Sequence, residues 1–89
     1  MKAIVTVVGK DRVGIIAQVC TQLADYNVNV LDIRQSVLQE FFTMMMIVDV
    51  EKASLPLAQV ARELEEKGKQ MGLSIRLQRQ DIFDAMHEI

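Results

Sequence analysis

The chain has 89 residues, 51% of them hydrophobic and 25% charged, with a formal net charge of −2. That length fits one domain, residues 1–89, and that composition excludes an intrinsically disordered chain. The small negative charge offers no basic surface for a nucleic-acid backbone, and a lone cysteine excludes an internal disulfide and a thiolate metal cluster.

Residues 1–8 are rich in β-branched side chains and strand-length, and Gly9-Lys10-Asp11-Arg12 punctuates them. This apolar run is too short for a secretory signal, which needs about 7–15 apolar residues and a cleavage site. From Val13 the period changes: Ile16, Val19, Cys20 and Leu23 recur at helical spacing, with Asp11 as the expected N-cap. Residues 28–39 read as a long strand, with Leu31, Ile33, Gln35 and Val37 on one side and Asp32, Arg34, Ser36 and Leu38 on the other. A hairpin at Gln39-Glu40 leads into residues 41–50, apolar on both faces and far short of the ~18 residues of a membrane span. Ser54 is the expected cap of a second helix carrying Leu57, Val60, Ala61, Leu64, Gly68 and Met71 on its apolar stripe, with Glu63, Glu65 and Glu66 solvated. Gly72 is placed to end it, Leu73, Ile75 and Leu77 alternate as a last strand, and Asp81 opens a short tail helix with Ile82, Phe83 and Met86 on one side.

The order strand–helix–strand–strand–helix–strand is the split βαβ arrangement of the ferredoxin-like α+β fold: a four-stranded antiparallel sheet with two helices on one face. In that topology the first and third strands are central, which suits their apolar character. A sheet with one open face should alternate cleanly. Here Ile4 and Val8 oppose Ala3, Val5 and Val7, and Met44-Met45-Met46 puts methionine on both sides. The open face is therefore expected to be covered, by the tail or by a second subunit.

The stretch Gly9-Lys10-Asp11-Arg12-Val13-Gly14-Ile15-Ile16-Ala17 carries the strongest functional signal. A helix N-terminus presents unpaired N–H groups and partial positive charge, suited to a carboxylate or phosphate. Together with Val19, Leu23-Ala24, Asn29-Val30, Asp32-Ile33 and Gln35-Ser36, this stretch resembles an ACT domain. The likeness extends through the whole element order and is nearest to stand-alone ACT proteins and the repressor-type ACT domains of the glycine cleavage system.

The resemblance implies a module that binds an amino acid at a subunit interface and regulates an enzyme or transcription factor. It implies ligand-binding roles for Lys10, Asp11, Arg12, Val13 and Gly14 in the loop and Asn29 in the second strand. Val13 departs from the family's frequent proline, which bears on the stiffness of the loop. A zwitterion suits the residues: N–H groups near Val13 and Gly14 for the carboxylate, the Asn29 amide for either group, and Asp11 or Asp32 for the ammonium. Asp11 also reads as a cap, Asn29 as a turn residue and Arg12 as a surface charge.

Cys20 lies on the buried stripe and reads as core, and His87 has no partner cluster. No acid–base pair, nucleophile, metal set or cofactor loop is present, so an enzyme is not expected. RNA recognition on the sheet would need aromatics on the two central strands, and the first has none. The expected protein is a cytoplasmic homodimer or higher oligomer with no nucleic-acid or membrane partner; the competing expectation is a pure assembly module without a ligand.

Overall fold

The computed structural model describes residues 1–81. Six elements follow in chain order: β1 (Lys2–Lys10), α1 (Ile15–Asp25), β2 (Asn29–Leu38), β3 (Phe41–Asp49), α2 (Leu57–Gln70) and β4 (Leu73–Arg79). The strands pair antiparallel in the order β2-β3-β1-β4, which gives the ferredoxin-like topology and places β1 and β3 in the centre as expected. The tail helix expected over residues 82–89, including His87, lies outside the described residues.

Period-two alternation decides which side of each strand meets the helices. Ala3, Val5 and Val7 stand opposite Val48, Met46 and Met44 in the β1–β3 register, and all six are fully buried. Leu73 and Ile75 extend the layer on β4. The helices close over it with Ile15, Val19 and Leu23 from α1 and Val60, Leu64 and Gly68 from α2. No polar or charged residue is buried among the described residues, so packing of apolar surface holds this layer together. Gly68 sets the distance of α2 from the sheet. A Cβ there would lie 2.9 Å from the Leu73 carbonyl oxygen and 2.8 Å from Ile75 Cγ1, so only glycine lets the helix sit this close.

Three local expectations are corrected. The buried stripe of α1 begins at Ile15, not Ile16, which is exposed. Both series fit a 3.6-residue period, and the direction in which the chain leaves the preceding loop selects between them. Neither Asp11 nor Ser54 caps a helix: α1 starts after Gly14 and α2 after Pro56, each without a side-chain cap. Glu63 is not wholly solvated; its Oε1 accepts a 3.4 Å hydrogen bond from the Tyr26 hydroxyl. The turn at Gln39 (φ 57°) and the stop at Gly72 (φ 74°) lie where the sequence puts them.

The edge strand β2 contains a bulge at Leu31. Val30 pairs with Val48 but Asp32 pairs with Ile47, so one extra residue is inserted and the side-chain phase shifts. Beyond it Ile33, Gln35 and Val37 stand on the helix side, opposite Met46, Met44 and Phe42. Every residue of β2 except Val30 is exposed.

Candidate functional site

The loop between β1 and α1 is pinned at its start. The Asp11 N–H donates to the Glu40 carbonyl at 2.8 Å, which ties the loop to the β2–β3 hairpin. The chain then turns through Gly14 at φ 93°, ψ 0°, a left-handed conformation that a side chain disfavours, and α1 begins at Ile15. Gly14 is therefore the residue that turns the chain into the helix, rather than a glycine inside its first turn. Its carbonyl accepts the first helical bond, from the Gln18 N–H at 2.9 Å. With no side-chain cap, the donors of the first turn are left for solvent or a ligand. A Cβ built on Gly14 would meet nothing within 4 Å, so the space in front of the turn is open.

That space is a shallow, mostly apolar hollow of about 400 Å³. Asp11, Arg12 and Gly14 form one side, Ile15, Ile16 and Ala17 the second, and Phe42 of β3 the third. The volume lies within the range that suits a small ligand, about 300–1,000 Å³. Three of the six residues singled out in the sequence thus meet here. Lys10 ends β1 beside Phe41, and the Val13 side chain points wholly into solvent. The sequence reading missed Ile16, Ala17 and Phe42. The alternation of β3 is the signal that could have placed Phe42, since its register partner is Gly9, one residue before the loop.

Asn29 is elsewhere. It opens β2 opposite Asp49, at the far end of the strand from Leu38, which neighbours the loop through Phe41 and Lys10. Nine residue steps along a strand separate those ends by about 30 Å. Asn29 lines a second hollow of about 370 Å³ with Asn27, Asp49, Glu51 and Lys52. Most polar groups around it are already engaged. The Asn27 Nδ2 donates to the Lys52 carbonyl at 2.8 Å, and the Glu51 N–H donates to Asp49 Oδ1 at 3.0 Å. The latter bond holds the Asp49 carboxyl below the usual carboxylate range, helped by the Met1 amino group 3.7 Å away and by Lys2, against a smaller opposing effect of desolvation. Asp32, the other acid considered for an ammonium, accepts its own strand's Ile33 N–H at 2.9 Å.

A wider groove of about 770 Å³ runs between α1 and α2, with Arg12 at one end. Here Gln22 Nε2 donates to the Tyr26 hydroxyl at 3.2 Å and to the Glu63 carbonyl at 3.4 Å, so the polar side chains fasten one helix to the other. Among the described residues no group of histidine, cysteine or acidic side chains converges as a metal site. No described helix is long and apolar enough to cross a membrane.

A ferredoxin-like sheet with two helices on one face, and an open, uncapped helix start at the end of its first strand, is the architecture of a small ACT-type module. The ACT domain model matches residues 2–78, and the chain belongs to the ACT domain family, whose members are generally small-molecule-binding regulatory modules. A UPF0237 protein of Clostridium acetobutylicum is 48% identical over the full length of both chains, and one of Bifidobacterium longum is 52% identical over 99% of this chain and 98% of its own. Among solved structures, an ACT domain protein from Streptococcus pneumoniae superposes with a TM-score of 0.83 at 41% identity, covering 98% of each chain. A candidate glycine cleavage system transcriptional repressor superposes with a TM-score of 0.76 at 25% identity, covering 89% of this chain and 45% of that one.

Proposed function

We propose that this protein is a ligand-sensing module that binds a small amino acid between two copies of itself, in the cytoplasm, and passes the bound state to a separate enzyme or transcription factor. The observation that supports this reading is the separation of its site residues. The loop of Lys10, Asp11, Arg12, Val13 and Gly14 and the residue Asn29 stand at opposite ends of one subunit, so neither group completes a site alone. β2 is an exposed edge strand, and two identical edges pair antiparallel about a two-fold axis. Full overlap of two β2 strands sets Asn29 of one copy opposite Leu38 of the other, within about one residue given the bulge. Leu38 adjoins Phe41, Lys10 and the hairpin that anchors Asp11. Edge pairing thus brings Asn29 to the end of the partner's sheet that carries the loop. There the free N–H groups suit a carboxylate and the apolar hollow suits a short side chain.

The reading is tested by titrating the full chain calorimetrically with the twenty amino acids while sedimentation reports its oligomeric state. The expected result is a dimer that binds one or a few small amino acids. Asn29→Ala should lower affinity about 10–100-fold, the loss of one hydrogen bond to a charged group. Mixing equal amounts of an Asn29→Ala chain and a Gly14→Val chain should restore one of the two sites in each mixed dimer, about a quarter of all sites on random reassociation. A folded oligomer that binds none of the twenty would leave the assembly reading in its place. No restoration on mixing would put the site within one subunit.

A further inference from the structure

The face of the sheet opposite the helices is closed at one corner and open elsewhere. Ile47, Ile4 and Gln78 stand side by side on β3, β1 and β4. Ile4 is 7% exposed, and its two neighbours are half-buried. Further along the same strands Val8 is 40% exposed and Met45 37%, and on β2 Asp32 and Arg34 are exposed. Both helices bury their apolar stripes on the other side of the sheet. Among the described residues Ile4 is the one buried apolar side chain that does not belong to the core between sheet and helices.

That corner is where the chain leaves the sheet. Gln78 pairs with Ile4 and Arg79 with Ala3, and the Arg79 guanidinium donates to the Asp81 carboxylate at 2.7 Å, two residues on. Gln80, between them, is half-buried. Residues 82–89 follow in the sequence, with Ile82, Phe83, Met86 and Ile89 at the spacing of one helical face and Asp84 and Glu88 off it. Eight helical residues span about 12 Å, and Ile47 lies two strand spacings, about 10 Å, from β4. The reach of the segment thus matches the extent of the covered corner, from β4 across β1 to β3 and short of β2. A second copy laid on this face would cover Val8 and Met45 as well, whereas the burial of Ile4 arises within one chain.

We propose that residues 82–89 fold back over this corner as a strap, with their apolar side chains seated on Ile4 and Ile47. The strap withdraws the corner from any partner and leaves the Val8 end of the face open. It is distinct from the hollow at Gly14 and does not depend on a ligand being bound there.

The test uses the full chain, labelled for nuclear Overhauser measurements on the isoleucine, leucine and alanine methyl groups and the Phe83 ring. Contacts are expected from the Phe83 ring to the methyl groups of Ile4 and Ile47. Phe83→Asp should abolish them and shift the Ile4 and Ile47 methyl resonances, leaving those of Val8, Leu57 and Ala61 in place. Contacts from Phe83 to Leu57 and Ala61 instead would overturn the proposal, because they would seat the segment in the apolar hollow of about 520 Å³ between α2 and β4. Contacts that appear only between labelled and unlabelled chains in a mixed sample would overturn it too, by making the strap a second copy's. So would the absence of any contact from residues 82–89 to Ile4 or Ile47.

Discussion

The two ends of α1 are built to opposite purposes. At the C-terminal end the chain is tied to its surroundings: the Val28 N–H donates to the Leu23 carbonyl, the Ser54 N–H to the Tyr26 carbonyl, and the Asn27 amide to Lys52, with Asn27 itself left-handed at φ 60°. At the start there is a left-handed glycine, no side-chain cap, an exposed Ile16 and an open hollow. Both ends turn the chain through positive φ, yet only one uses the turn to fasten the helix to its surroundings. The finished end supplies stability; the unfinished end keeps its donors available.

This contrast can be broken by paired substitutions. The largest difference is expected in the apolar residues. Leu23→Ala, at the sealed end, should cost about 2–5 kcal/mol in urea unfolding, whereas Ile16→Ala, exposed at the open end, should cost under about 1 kcal/mol. Equal losses would mean that the open end is packed after all. Next comes Gly14→Ala, expected to cost about 1–2 kcal/mol through backbone conformation alone, since the added methyl meets no neighbour. A much larger loss would show that the turn is crowded.

The smallest effect is electrostatic and lies near the Asn29 end. Because Asp49 is held below the usual carboxylate range in the folded chain, its contribution is present above the unfolded value. That contribution is lost as pH falls through the lower folded one. Asp49→Asn should therefore lower stability slightly at neutral pH, converge with the parent in acid and so flatten the fall in stability below about pH 4. An unaltered acid limb in that variant would remove the assignment.

Most of the fold was legible because strand alternation and helical period are properties of neighbouring residues. Val5 and Val7 on one side, and Gly72 at a stop, need no knowledge of distant chain. The missed features depend on it. Whether Ile15 or Ile16 faces inward is settled by how the loop leaves β1, and Tyr26 meets Glu63 across 37 positions. Of the site, Asp11, Arg12 and Gly14 were readable from local motif. Phe42 enters only through pairing with β1, and the remoteness of Asn29 only through the sheet order.

An unprotected edge strand is a hazard as well as an opportunity, since any extended chain can add to it. The extra residue at Leu31 breaks the even spacing of backbone donors and acceptors near one end of β2. A newcomer can zip along the stretch beyond that break, and must absorb the extra residue to reach Val30 and Asn29. The irregularity therefore confines the evenly spaced edge to the run from Asp32 to Leu38.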